Sequence, residues 1–262
     1  RLNAAKGGHA GTLDPMATGV LIVGLNRATR LLGHLALHDK AYRATIRLGE
    51  ATTTDDAEGE PLAGADASRL DRAAIEGALV ALRGQILQRP STVSAIKVDG
   101  KRAYARARSG EDVVLAPRPV TVSRFDVLAL RFEGRFCDVD VEVECSSGTY
   151  VRALARDLGD ALGVGGHLTM LRRTRIGRFT QADAVELDTL AASTQLMTMA
   201  EAASLSFPCT EVDAAAARDV SHGRALAVEV GSDPTGIIGP DGTLLALYRP
   251  EGPVARPVAV FV

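Results

Sequence analysis

An aspartate followed by proline, set between a glycine turn and an apolar run, is the sharpest chemical signal in the chain. It is Asp14, in the stretch His9 to Leu25 (HAGTLDPMATGVLIVGL). A single carboxylate can attack carbon or take part in proton transfer. Thr-Leu-Asp-Pro is also an ordinary turn in which the aspartate bonds its own backbone, and on residue chemistry alone the turn is the better reading. Three further features bear on it. Tyr42 opens an alternating segment, where it can fill a core or stack on a base and offer a hydroxyl. Tyr150 and Arg152 lie in CSSGTYVRALARD, where a strand gives way to a helix. Arg152 is either a surface charge or, facing Asp14, a bidentate partner that would hold and orient the carboxylate. Leu168 to Arg178 (LTMLRRTRIGR) joins an apolar stripe to four arginines. Such a segment can pack on one side and face phosphates on the other; a salt-bridged surface helix explains it equally well.

Other chemistries find little support. There is no GxSxG elbow, no HExxH and no phosphate-cradling GxxxxGK[ST] loop. His34 and His38 are four apart without a third ligand nearby, and GVGG at Gly163–Gly166 reads as a helix terminus. Cys137, Cys145 and Cys209 form no CxxC pair, so no metal site is expected, and reduced thiols suit a cytoplasmic protein. No run of about 20 apolar residues is present for a membrane span.

The formal net charge is only −2, yet the charge is unevenly spread. Gln88 to Pro119 carries seven bases against three acids, and Tyr150 to Arg178 six against two, each +4. A basic stripe with an acidic back fits RNA binding, and a solvated mixed surface fits as well.

The elements that would position these residues are of both kinds. Gly19 to Leu25 reads as a continuous buried strand, and Tyr42 to Leu48 as a strand with one wet face. Leu70, Ile75, Leu79 and Leu82 have helical spacing, with Gly84 as the left-handed cap. Phe125–Leu130 and Cys137–Cys145 read as paired strands. Leu154, Leu158 and Leu162 begin an amphipathic helix closed by Gly163. Strands and helices without βαβ repetition predict an α+β fold. Beyond Phe207-Pro208, short strand-like runs predict a small β-rich unit of about 55 residues that would lean on its neighbour.

In order along the chain, GGHAGTLDPMATGVLIVGL, KAYRATIRLGEATTTDDAEGE, QRPSTVSAIKVDGKRAYARARSGE, CSSGTYVRALARDLG and HLTMLRRTRIGRF cover most of Gly7 to Phe179. Taken together they resemble the TruB family of tRNA pseudouridine synthases, and that resemblance overturns the plain-turn reading of Asp14. It implies a mixed central β-sheet flanked by helices over residues 1–205, with a basic thumb-like insertion at about 88–119. It also implies a small C-terminal PUA-like β domain over 206–262. Asp14 matches the catalytic aspartate, and His9 the histidine that enters the T loop. Tyr42 matches the tyrosine that stacks on the target uracil and moves a proton. Tyr150 matches an active-site tyrosine, Arg152 the arginine that pairs with the aspartate, and Leu171 an apolar wall of the uracil pocket. Lys97, Lys101, Arg102, Arg172 and Arg173 are the basic residues expected to contact RNA. The family usually begins with a KPxGxTS segment that this sequence does not contain, so the native start is expected upstream of Arg1. From Glu201 onward the chain has four bases against eight acids, unlike a strongly basic RNA clamp.

The implied substrate is the T stem-loop of tRNA, acted on by a monomer at uridine 55. A stacked uridine must be extruded to be reached, and loops are where RNA bases can be splayed out. Isomerisation breaks an N-glycosidic bond and forms a C–C bond with no net redox change or hydrolysis, so no cofactor is expected. The carboxylate could attack C1′ or act around a glycal; the sequence leaves both open. Two rival readings are a non-catalytic RNA-binding protein and a glycosyl hydrolase or transferase. The second would need another carboxylate as acid.

Overall fold

The computed structural model describes residues 2, 4–91, 97–98, 101–102, 115–191, 194–228 and 230–262. The strands are β1 (Gly7–His9), β2 (Thr18–Gly19), β3 (Val23–Leu25), β4 (Lys40–Leu48), β5 (Gly84–Gln88), β6 (Lys97–Val98), β7 (Lys101–Arg102), β8 (Arg118–Glu133), β9 (Phe136–Cys145), β10 (Gly166–Ile176), β11 (Phe179–Thr180), β12 (Cys209–Glu211), β13 (Thr235–Ile238), β14 (Leu244–Glu251) and β15 (Val254–Val260). The helices are α1 (Leu32–Leu35), α2 (Arg72–Leu79), α3 (Val151–Ala161), α4 (Met199–Ser206) and α5 (Ala214–Ser221). They build two compact units, one of residues 13–20 and 37–176, the other of 1–12, 21–36 and 177–262.

The first unit is a sheet in the order β10-β4-β9-β8-β5, antiparallel throughout, to which β2 adds as a parallel partner of β10. The alternation CDVDVEVEC explains β9. Cys137, Val139, Val141, Val143 and Cys145 are buried, and the acids between them point to the other face. On the apolar face these residues join Tyr42, Ala44, Ile46 and Leu48 of β4, covered by Ile75 and Leu79 of α2 and Leu154 and Leu158 of α3. On the other face the acids meet arginines across the strands. Arg47 takes both oxygens of Asp138 at 2.8 Å, Arg124 reaches Glu142 at 2.8 Å, and Arg131 pairs with Asp140. Ion pairs this exposed contribute little each. The apolar face supplies the stability, and the charges fix register, since a one-residue slip would bury them.

In that unit β4 is more buried than a strand with one wet face: on the face opposite the core Ala41 and Thr45 are buried too, and the Thr45 hydroxyl donates to Asp140 Oδ1 at 2.7 Å. The apolar run Gly19 to Leu25 is not one strand. It divides into β2 and β3 around Val20–Ile22, and Leu21 and Val23 are 39% and 57% exposed. Gly19 makes the break: at φ +99°, it passes so close to β10 that a Cβ there would lie 2.1 Å from the Arg173 carbonyl oxygen.

The second unit contains the sheet β12-β13-β14-β15, with β12 parallel to β13 and the other pairs antiparallel. Val220 of α5 packs on Ile237, Leu245, Ala246 and Tyr248. In the same unit Leu31, Leu32, Leu35 and Phe179 pack with Phe207, Leu247 and Phe261. All three cysteines are free, Cys137 and Cys145 buried and Cys209 exposed.

Candidate active site

Asp14 sits in a turn closed by the Ala17 N–H donating to the Asp14 carbonyl at 2.9 Å. Thr18–Gly19 then fasten the segment to Arg172–Arg173 of β10. Arg152 arrives from the first turn of α3. Its Nε and Nη2 donate to Oδ2 and Oδ1 of Asp14 at 2.9 and 3.0 Å, a planar two-point pairing. Arg152 also donates from Nη1 to the Thr54 carbonyl at 2.9 Å, and the same nitrogen lies 3.5 Å from Asp56 Oδ2. One guanidinium thus holds two carboxylates of unequal access: the Asp14 side chain is 31% exposed, whereas those of Arg152 and Asp56 are 5% and 4%. Each Asp14 oxygen spends one lone pair on arginine and keeps another for a reactant.

The Thr52–Asp56 turn is built to serve that guanidinium. Asp56 Oδ1 accepts from the Thr54 hydroxyl at 2.5 Å and the Glu58 N–H at 3.1 Å. Asp55 adopts φ +61° and is buried. Burial pushes its carboxyl up, against the pull of Arg156, whose Nη1 donates to it at 3.2 Å. The start of α3 is held by Gln88, which is 1% exposed. Its amide donates to the Tyr150 carbonyl at 3.0 Å and accepts from the Tyr150 N–H at 2.8 Å. Tyr150 caps the helix without a side-chain cap bond, so this amide fixes the backbone two residues before Arg152.

Tyr42 and Leu171 lie on one face of neighbouring strands, through the pairings Tyr42↔Arg173 and Ala44↔Leu171. Both are buried in the cluster that also takes in Met16 and Ala17 beside Asp14. Burial pushes the Tyr42 phenol up to about 12, with Arg173 opposing the rise and the negative charge of Asp14 adding to it. The hydroxyl therefore keeps its proton at neutral pH and offers it as a donor.

The basic residues divide. Arg172 is exposed, with Nη1 3.3 Å from the Thr18 hydroxyl. Arg173, expected at the RNA surface, is instead 1% exposed and turned inward, because successive side chains of a strand point to opposite faces. The side chains of Lys97, Lys101 and Arg102 lie outside the described part of the structure. His9 is an exposed residue of β1, paired with Val23, in the second unit. Sequence reasoning missed Gln88, Thr54, Asp55 and Asp56. Polar residues near Gly and Pro read as solvated loop, and only their burial shows otherwise.

Known structures share this architecture. The chain aligns over its full length, covering 78% of the matched chain, with one in a Cbf5-Nop10-Gar1 complex at 27% identity and a TM-score of 0.72. At 25% identity and a TM-score of 0.68, it aligns likewise with a chain of an H/ACA RNP bound to a substrate RNA containing 2′-deoxyuridine. Residues 1–151 match the N-terminal domain of the TruB family pseudouridylate synthases, 152–211 the C-terminal domain of tRNA pseudouridylate synthase B, and 207–262 the C-terminal part of tRNA pseudouridine synthase II. The chain belongs to the TruB family. The tRNA pseudouridine synthase B of Cutibacterium acnes is 60% identical over 252 residues, 95% of this chain and 85% of that protein. That of Thermobifida fusca is 55% identical over 258 residues, 97% and 88%.

Proposed function

We propose that this enzyme isomerises a uridine of tRNA to pseudouridine, that the target is uridine 55 in the T loop, and that Asp14 is the catalytic carboxylate. One observation carries the assignment: Arg152 is buried, and of the two carboxylates it holds, Asp14 is the one a substrate can touch. The relatives named above bear on the reaction class and on tRNA as substrate. The T-loop position and the aspartate role are the finer reading.

The reaction conserves atoms. The N1–C1′ bond of the nucleoside breaks, uracil turns, C5 bonds to C1′, and the proton on C5 is lost while N1 gains one. A flipped uracil would stack at Tyr42 with Leu171 behind it, an arrangement that costs a few kcal/mol of unstacking. The free lone pairs of Asp14 suit attack at C1′ and proton removal from the sugar alike. Tyr42, a protonated donor, would deliver a proton, and Arg152 would keep the carboxylate in one orientation throughout. His9 and Arg172, both exposed, are proposed RNA contacts. No helix among the described residues is long and apolar enough to cross a membrane. The chain is proposed to act as a monomer in the cytoplasm.

The test is an unmodified tRNA transcript incubated with the protein and with Asp14→Asn, followed by carbodiimide primer extension. A single T-loop stop with the wild type, absent with Asp14→Asn although tRNA still binds, is the expected result. A stop elsewhere removes the T-loop assignment, and an active Asp14→Asn removes the aspartate role.

A further inference from the structure

The largest fully buried side chain described in the protein is a cation that the scheme above leaves unused: Arg173, 1% exposed. Desolvating a guanidinium is costly, so its surroundings must use it. Its Nε donates to the Val20 carbonyl at 2.8 Å, and the Val20 N–H returns a bond to the Arg173 carbonyl at 2.8 Å. Across the β4–β10 pairing it stands directly opposite Tyr42, so the two side chains leave the same face of the sheet, and both are buried. Lys40, also buried, lies close enough to Arg173 for their charges to repel.

The chemistry of arginine fixes the direction of any hydrogen bond between Arg173 and Tyr42. A guanidinium has donors and no acceptor. A hydrogen bond between these cross-strand neighbours can therefore run only from Arg173 to the Tyr42 oxygen, which leaves the O–H proton of Tyr42 to point elsewhere. Without Arg173 that hydroxyl could rotate and spend its proton on whichever neighbouring acceptor it met. We propose that Arg173 is a positioning residue: it occupies the Tyr42 oxygen as acceptor so that the Tyr42 proton is aimed at the reacting uracil. This assignment rests on the role given to Tyr42 in the proposed reaction. Arg173 also pins Val20, and through it the segment that leads back to Asp14, so two routes of influence have to be separated.

A double-mutant cycle separates them. Arg173→Lys keeps the charge but cannot reproduce the fork, and should slow single-turnover pseudouridine formation by about tenfold or more. Its affinity for tRNA should stay within about twofold of the wild type, and in a Tyr42→Phe background the same substitution should change the rate by less than about twofold. If the losses multiply, Arg173 acts independently of Tyr42, through Val20 or otherwise, and the assignment is overturned. A Tyr42→Phe enzyme with wild-type turnover overturns it too. Should Arg173→Lys fail to fold, Arg173→Gln, which retains an N–H donor, runs the same cycle. Absence of pseudouridine from the wild type would sink the functional reading itself, whereas multiplying losses in an active enzyme sink only the role given to Arg173.

Discussion

Gln88→Met is the substitution that most directly probes how the site is held. Methionine matches the shape of glutamine and removes both hydrogen bonds to the Tyr150 backbone, at 3.0 and 2.8 Å, while keeping the side chain's bulk. Gln88 is 1% exposed, so no bulk water replaces it from that side. The Tyr150 carbonyl still accepts from the Leu154 N–H at 3.2 Å, so the loss falls mainly on the Tyr150 N–H, at about 1–3 kcal/mol. Tyr150 is half-buried and can recover part of its hydration, which favours the lower end, about 1–2 kcal/mol. For a protein of this size that lowers Tm by roughly 2–8 °C. The functional effect should exceed the stability effect, because the released backbone begins the turn that carries Arg152. A shift of the guanidinium by about 1 Å would misplace Asp14 and can cost on the order of a hundredfold in rate. Thermal unfolding beside single-turnover kinetics at saturating tRNA checks both numbers. A Gln88→Met enzyme that melts within about 1 °C of the wild type and turns over normally would refute the clamp.

Other consequences can be measured with the same preparations. Gly19→Ala forces a Cβ to 2.1 Å from the Arg173 carbonyl at a φ of +99°, so it should destabilise by at least about 2 kcal/mol and lower activity with it; urea unfolding reads this, and a stable, active variant would contradict the close approach. Alkaline pH should loosen the first unit. Burial pushes the Cys145 thiol up to about 11 from its ordinary 9.0 and Tyr42 up to about 12 from 10.0, so between these values the unfolded chain has already lost protons that the folded one keeps. Stability therefore falls as pH rises from about 9, by up to about 3 kcal/mol for each group. Cys145→Ala should remove the earlier part of that fall in urea titrations at pH 8 to 11, and an unchanged profile would contradict it.

How much of this the sequence carries depends on whether a residue's role follows from its local pattern. The handover at Tyr150 is legible, since the alternation of CDVDVEVEC stops at Ser147-Gly148 and helical spacing follows. The α+β class is legible for the same reason, from elements whose periods are clear. The Asp14–Arg152 pairing is not, because it joins residues 138 apart and no period reports such a contact. It became an expectation only through resemblance. Gly19 to Leu25 misleads because uniform apolarity has no period, so nothing marks where β2 ends and β3 begins. Arg172 and Arg173 mislead differently. Two adjacent arginines look like one basic patch until they fall on a strand, where one must face away from the other. Thr54, Asp56 and Gln88 are polar groups in buried positions, the class that composition assigns to loops.

The same buried polar groups discriminate between the rival readings. A protein that only binds RNA needs cations at its surface, where phosphates are met and counterions released. Here Arg152 and Arg173 are withdrawn from the surface, at 4% and 1% exposure. Burial of that kind raises the desolvation cost without adding a phosphate contact. What it provides is orientation, of the Asp14 carboxylate by Arg152 and, in the role proposed above, of the Tyr42 phenol by Arg173. A glycosyl hydrolase would need a second accessible carboxyl group as acid. The second carboxylate on Arg152, Asp56, has a side chain only 4% exposed, with one oxygen already accepting two hydrogen bonds. Of the two carboxylates that Arg152 holds, only Asp14 is reachable, and a reachable carboxylate of that kind beside a protonated tyrosine suits a reaction that keeps its base and re-forms the bond better than it suits hydrolysis.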